Sequence, residues 1–234
     1  MDLDHVLKEI ATYEFGQSRK SLIGVADHVR DSHGDPGVRK KLRKQLTALL
    51  SSDATTDSKK FVCEQLSIIG TTEEAPALAK LLPDEELSHM ARIALERIPG
   101  SAANGALLDA LGKTKGKILI GVINSLGERR NGKSVSALVN FITKRDETLA
   151  SAAAAALGKI GGPEAVKALA RAKQIASATV RPIVVDALLK CAEQLLADGK
   201  KDQAAKIYRE LAVPAETELV REAAFRGLKA AGQK

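Results

Sequence analysis

A spacing of about 30 residues constrains this chain more than any other feature. Leucine stands at both ends of four stretches that align without gaps: Leu66 to Leu78, Leu95 to Leu107, Leu126 to Leu138 and Leu157 to Leu169. The offsets between successive stretches are 29, 31 and 31 residues, and an alanine precedes the second leucine in each. A fixed period of this size is the signature of an array of small repeated units. We therefore expect stacked copies of one motif.

Each unit is predicted to contain two helices separated by a turn. Apolar side chains mostly recur four and eight residues before the first leucine, which is the stripe of an amphipathic helix A. Turn-prone segments such as Gly161-Gly162-Pro163-Glu164 break that helix, and helix B follows through the second leucine. Alanine and leucine, both strong helix formers, are abundant. The sequence therefore predicts an all-α fold, an α-solenoid of stacked antiparallel helix pairs.

One stretch of the chain also resembles a known family. Ala156-Leu-Gly-Lys-Ile-Gly-Gly-Pro-Glu-Ala-Val-Lys-Ala-Leu169 closely resembles the short HEAT-like repeats of the phycobilisome-lyase type. Segments 35–39 and 220–224 look like the openings of further A helices, so the resemblance covers about residues 36–232. It implies the solenoid fold but no particular activity, because such repeats occur in lyases and in adaptors. The pattern also resembles the HEAT regions of large exported multidomain bacterial proteins with sugar-processing modules.

The regular period covers only part of the chain, and we expect a single elongated solenoid with four regions. Residues 1–34 should form an N-terminal cap of two helices, and residues 35–178 the short HEAT-like repeats. Residues 179–212 resemble a longer tetratricopeptide-like hairpin with Gly199 at its turn, and residues 213–234 should form a C-terminal helix. A longer unit in the array should change the local curvature.

No pattern of catalytic or ligand-binding residues stands out. Segment 27–35 gathers three carboxylates and two histidines, but Pro36 and Leu42 occupy the positions where a calcium loop needs Gly and Glu. Cys63 and Cys191 lie several repeats apart, which predicts two buried free thiols rather than a disulfide. We expect no cofactor, no metal and no enzymatic activity. A bilin-lyase-like or modification enzyme is an alternative that the resemblance alone supports.

The net charge of +7 is unevenly distributed. Residues 111–145 hold eight Lys or Arg against one acid, residues 64–110 hold three against eight, and segment 39–44 carries five bases. Because such clusters can hold phosphates, a nucleic-acid-binding solenoid is a further alternative. The absence of Trp and the scattered placement of the other aromatics disfavour it, since nucleic-acid sites use aromatic stacking.

The sequence also bears on compartment and assembly. No uninterrupted apolar run approaches the length that spans a bilayer, so we expect no membrane partner. The N-terminus lacks the basic start and apolar core of a secretory signal, which as written predicts a cytoplasmic protein. A periplasmic or exported protein is the alternative if the chain is excised from a larger multidomain protein. We expect a monomer or part of such a larger chain.

Residues that vary at an exposed position of otherwise constant units are candidates for partner binding. In stacked helix pairs the B helices line the concave side, and the residue two places after the second leucine should be partly exposed there. That position, with its nearest equivalent in the longer unit, holds Lys80, Asp109, Asn140, Arg171 and Tyr208. The sequence therefore predicts an interaction scaffold that binds an unidentified protein partner along this column.

Overall fold

The computed structural model describes residues 2–143 and 145–233. In that part of the chain there are fourteen α-helices and one short 3₁₀ helix, and no strand. The helices divide between two compact units, Met1–Ser125 and Leu126–Lys234. Within each unit successive helix pairs pack on one another, with A helices beside A helices and B helices beside B helices. The predicted all-α solenoid class is confirmed.

The first unit contains two leading helices and the first repeats. Its helices are α1 (Leu3–Ala11), α2 (Lys20–Asp31), α3 (Pro36–Leu50), α4 (Thr56–Ile69), α5 (Ala75–Ala79), α6 (Ser88–Arg97), α7 (Ser101–Ala110) and most of α8 (Gly116–Glu128). Helices α4, α6 and α8 are the A helices of the aligned repeats, and α5 and α7 are B helices. Helix α5 is short: it ends at Ala79 and is followed by turns through Pro83.

The second unit contains the later repeats and the longer C-terminal pair. Its helices after the end of α8 are α9 (Val135–Ile142), α10 (Glu147–Ile160), α11 (Gly162–Ile175), α12 (Arg181–Ala197), α13 (Lys201–Leu211) and α14 (Glu218–Ala230), with the 3₁₀ helix at Gly132–Ser134. Helices α9 and α11 are B helices, and α10 and α12 pack together as A helices. Gly199, with a φ of 75°, lies at the turn between α12 and α13, as predicted.

The leucine columns that define the repeat are the core of both units. All eight of these side chains are 0% exposed, namely Leu66, Leu78, Leu95, Leu107, Leu126, Leu138, Leu157 and Leu169. The residues four places before the first leucine, among them Val62 and Ala153, are equally buried. Burial of a leucine side chain stabilises a fold by about 1.5–3 kcal/mol. The sequence period is therefore the period of core packing.

Local signals set where the helices begin. Asp35 accepts a hydrogen bond from the Val38 N–H at 3.0 Å and caps α3, and Thr217 caps α14 in the same way. At the start of α11, Gly161 and Gly162 have φ of 67° and 80°, values that favour glycine, and Pro163 occupies the first turn. The predicted break between helices A and B of that repeat is confirmed.

Candidate protein-binding surface

The column predicted on the B helices is exposed at four of its five positions. Lys80, Asp109, Asn140 and Arg171 all have exposed side chains. Each lies two residues after a fully buried leucine, and residues two apart point to opposite sides of an α-helix. The leucine therefore fixes the helix in the core and turns the column residue to solvent. The exposed residue therefore differs in charge from repeat to repeat, whereas the buried residue two places before it is always leucine.

The predicted exposure is wrong at the fifth position, Tyr208, because that side chain is buried. Its exposure is only 2%, and it packs against Gly227 of α14, where any side chain would overlap the Tyr208 ring. Burial, together with nearby Glu193, raises the pKa of the Tyr208 hydroxyl. The signal that could have found this is local: Ala204, Tyr208 and Leu211 form one apolar stripe of α13. Register counting from shorter repeats placed Tyr208 on the wrong side of that helix.

In the second unit a groove of about 630 Å³ lies between the B helices α9 and α11. Its apolar lining comes from both helices: Val135, Val139, Ile142, Ala168, Ala172 and Ile175. Ile175 remains 69% exposed at this surface. Arg171 of the predicted column lines the same groove. An apolar concavity of this volume is within the range of ligand sites in proteins.

Charged side chains border this groove, and most of them are basic. Lys133, Lys167 and Arg171 are exposed and have no ion pair among the described residues, and Glu164 is the one acid that lines the groove. Glu164 lies in the first turn of α11, where the helix dipole stabilises a negative charge. The groove therefore combines an aliphatic floor with a net positive rim.

A second, smaller groove of about 370 Å³ lies on the other flank of α11, against α13. It is lined by Val166, Ala170, Leu195 and Ile207, with Lys206 and other polar residues at its edge. In the first unit the corresponding space between α5 and α7 is only about 70 Å³. Of the two equivalent spaces between neighbouring B helices, α5–α7 and α9–α11, the one in the second unit is the larger.

A buried ion cluster fixes the position of α11. The Glu216 carboxylate, with 2% of its side chain exposed, accepts from Lys173 Nζ at 3.0 Å and from the Arg181 guanidinium at 2.8 and 3.0 Å. Burial acts to raise the pKa of Glu216, but the hydrogen bonds from Arg181 and Lys173 outweigh it and lower that pKa. Lys173 is therefore directed into the protein, and Lys167 and Arg171 are left to face solvent.

A comparison with protein families agrees with the repeat architecture of part of the chain. A family model described as HEAT repeats matches residues 104–189, a segment that runs from α7 into α12. Residues 104–189 are thus HEAT repeats. The crystal structure of the archaeal HEAT-like repeats protein from Thermococcus onnurineus NA1 is similar over 99% of this chain and 97% of that one, at 13% identity and a TM-score of 0.45. No curated protein sequence matches the chain.

The basic segment 39–44 makes contacts within the chain itself. The Arg43 side chain is only 12% exposed and its Nε donates to Glu74 at 3.3 Å. Arg39 Nε donates to Ser32 Oγ at 3.3 Å. Two of the five bases are therefore engaged in contacts with neighbouring helices or turns. The cluster offers less free positive charge than the sequence indicates.

The remaining candidates for chemistry are the thiols and the histidine-containing segments. Cys63 and Cys191 are free and buried, as predicted. Burial raises the pKa of Cys63 to about 12 and that of Cys191 to about 11, so both are protonated at neutral pH and are poor nucleophiles. Over residues 2–143 and 145–233, no three His, Cys, Asp or Glu side chains are grouped closely enough to hold a metal ion. Among the described helices, none has the length and apolar character that a bilayer crossing requires.

Proposed function

We propose that this protein is a non-catalytic scaffold that binds a protein partner along its B helices. The observation that carries the proposal is the exposed column Lys80, Asp109, Asn140 and Arg171, whose chemistry varies above a constant buried leucine. Repeat arrays use extended surfaces of this kind for binding, because each unit can vary its exposed residues without changing its core. The groove beside Arg171 adds apolar area to that surface.

A column variant tests the proposal. The variant Lys80→Ala, Asp109→Ala, Arg171→Ala removes three exposed side chains without touching the core. We expect an unchanged helical circular dichroism signal and melting temperature, since exposed substitutions typically change stability by about 0.5 kcal/mol or less. Affinity purification with mass spectrometry from the native host should recover a specific partner with the wild type and much less of it with the variant.

The matched control changes three exposed residues on A helices instead. Glu64→Ala, Asn124→Ala, Glu193→Ala has the same number of truncations on α4, α8 and α12. It should retain the partner at the wild-type level. Equal recovery of every specific partner by the wild type and the column variant would contradict the proposal.

Retention on duplex DNA separates a scaffold from a nucleic-acid binder. Binding through phosphates releases counterions, so a nucleic-acid binder is retained at low salt and is released steeply as salt rises. We expect weak retention at 50 mM salt and none at 150 mM, because Arg43 of the basic helix is already paired with Glu74. Specific retention at 150 mM salt would favour the nucleic-acid alternative.

A further inference from the structure

The groove between α9 and α11 has the pattern of a site for a helix. On α11 its lining residues recur at Glu164, Ala168, Ala172 and Ile175, which is one continuous stripe along the helix. On α9 the lining residues Val135, Val139 and Ile142 repeat the pattern. Both walls thus present side chains at helical spacing along nearly their whole length. A helix with apolar side chains at the same spacing can fill such a groove.

The length of the groove along α11 indicates how long a bound helix would be. From Glu164 to Ile175 is a rise of about 16 Å at 1.5 Å per residue. A ligand helix of about 11 residues, or three turns, spans that distance. The volume of about 630 Å³ accommodates a row of three or four medium-sized apolar side chains.

The charged residues at the edge of the groove indicate the charge of a ligand that would bind there. Lys133, Lys167 and Arg171 face solvent without an ion pair in the described part of the chain, and Glu164 offsets only one of them. Lys167 and Arg171 are four residues apart and so lie on one side of α11. A ligand with carboxylates along its flank would pair with both, and a basic ligand would be repelled.

We propose that this groove binds an acidic amphipathic helix of a partner protein. The inference rests on the proposed scaffold function and names the kind of segment that the partner presents. Apolar residues of the ligand at i, i+3 or i+4, and i+7 would cover Val139, Ala168 and Ile175, as in other helix-in-groove complexes. Asp or Glu on its flank would face Lys167 and Arg171. The apolar part of the lining is aliphatic, and none of the described lining residues carries an aromatic ring on which a nucleic-acid base could stack.

Selection from a random peptide library tests the ligand class directly. Peptides of 16 residues displayed on phage are selected on the immobilised full chain at near-physiological salt. We expect the recovered sequences to be enriched in Asp and Glu and to carry apolar residues at helical spacing. Recovery of no such sequences, or of mainly basic ones, would overturn the inference.

Binding measurements then locate the site. A labelled synthetic copy of the most enriched peptide is titrated by fluorescence anisotropy against the wild type and three variants. Lys167→Glu, Arg171→Glu reverses the rim charge, and Ser136→Trp fills the groove from an exposed lining position. Each should weaken binding by about 10-fold or more, because like charges or a blocked site face the ligand. The control Lys117→Glu reverses an exposed charge on α8, an A helix in the first unit, and should bind as the wild type does.

The outcomes separate this inference from the scaffold function on which it rests. If the column variant loses its native partner but the selected peptides ignore both groove variants, the scaffold stands and the acidic-helix occupant is wrong. If duplex DNA is retained by the wild type and lost on Lys167→Glu, Arg171→Glu, the groove rim binds phosphates and the inference is also overturned. Loss of peptide binding in both groove variants, with an unchanged control, supports it.

Discussion

The A helices of the two units meet in different ways at one position of the repeat. The residue directly after the first leucine is Ser67 or Glu96 in the first unit, and Gly127 or Gly158 in the second. All four occur at the same place on an A helix and face the next A helix. The same fold therefore packs equivalent helices through polar side chains in one unit and through bare backbone in the other.

In the first unit these contacts are hydrogen bonds. Arg97 donates to Ser67 Oγ at 3.4 Å, and Ser125 Oγ donates to Glu96 at 2.6 Å. Arg92 also donates to Ser125 Oγ at 3.2 Å, so that Ser125 joins two charged residues of α6. Burial lowers the pKa of Arg92, and the charge of Glu96 partly opposes that shift. Side chains in this unit therefore form a polar network between neighbouring A helices.

In the second unit the backbones touch. A Cβ placed on Gly127 would lie 2.8 Å from Ala156 Cα, and one placed on Gly158 would lie 2.8 Å from Ala187 Cα. Glycine inside a helix costs about 0.5–1 kcal/mol relative to alanine. Close contact between the helices offsets that cost through additional dispersion and burial. The glycine pair at a spacing of 31 residues is thus a packing device of the second unit.

Neighbouring B helices, in contrast, leave less space between them in the first unit than in the second. In the first unit α5 and α7 meet through small residues such as Ala79 and Ala106 and leave only about 70 Å³. In the second unit α9 and α11 leave the groove of about 630 Å³. The second unit is therefore tight between its A helices and open between its B helices. This difference places the candidate binding groove there.

The largest expected effect comes from the cluster that holds α11 beside the open groove. Glu216→Ala should lower the free energy of unfolding by about 3 kcal/mol, because Lys173 and Arg181 lose the buried carboxylate that pairs them. Chemical denaturation monitored by circular dichroism measures the change. Glu222→Ala, at an exposed position of α14, is the control and should change stability by less than about 0.5 kcal/mol. Similar effects of the two substitutions would show that α11 is held by packing alone.

Acid should weaken the same cluster in the wild type. The pKa of Glu216 is lower in the folded state than in the unfolded chain, so the carboxylate contributes stability above its unfolded pKa of about 4.3. That contribution is lost as pH falls through the lower folded pKa. We expect the stability difference between wild type and Glu216→Gln to be constant from pH 8 to pH 5 and to shrink below about pH 4. A difference that grows on acidification would contradict the sign of this pKa shift.

Glycine substitutions test the contrast between the A helices. Gly158→Ala should destabilise the protein by about 1–3 kcal/mol, because the new methyl group meets the backbone of Ala187. Gly105→Ala in α7 is the matched control, since no atom lies within 4 Å of its new methyl group. There the better helix propensity of alanine should stabilise by about 0.5–1 kcal/mol. Thermal melts of both variants measure the difference, and a change of the same sign in both would remove the contrast.

The leucine columns could be predicted from the sequence because one residue type recurs at a spacing that packing requires. The groove between α9 and α11 could not be predicted in this way. Leu78 and Leu138 occupy the same column with an alanine before each, yet one pair of B helices is closed and the other is open. The separation of two helices depends on every side chain between them and not on the columns that define the repeat. Tyr208 was misplaced for a related reason, because α14 covers a helix that has no equivalent in the shorter repeats.

The smallest expected effect concerns the hydrogen bonds between the A helices of the first unit. Ser125→Ala removes a buried hydroxyl that bonds both Arg92 and Glu96, and should destabilise the protein by about 1 kcal/mol. The loss is modest because Glu96 and Arg92 are partly exposed and can recover bonds to water. Asn124→Ala, at the adjacent exposed position of α8, should have a smaller effect. Ser125→Gly removes the same hydroxyl and adds the helix cost of glycine, about 0.5–1 kcal/mol. If Ser125→Gly were instead as stable as the wild type, the hydrogen bonds of Ser125 would contribute no net stability to the first unit.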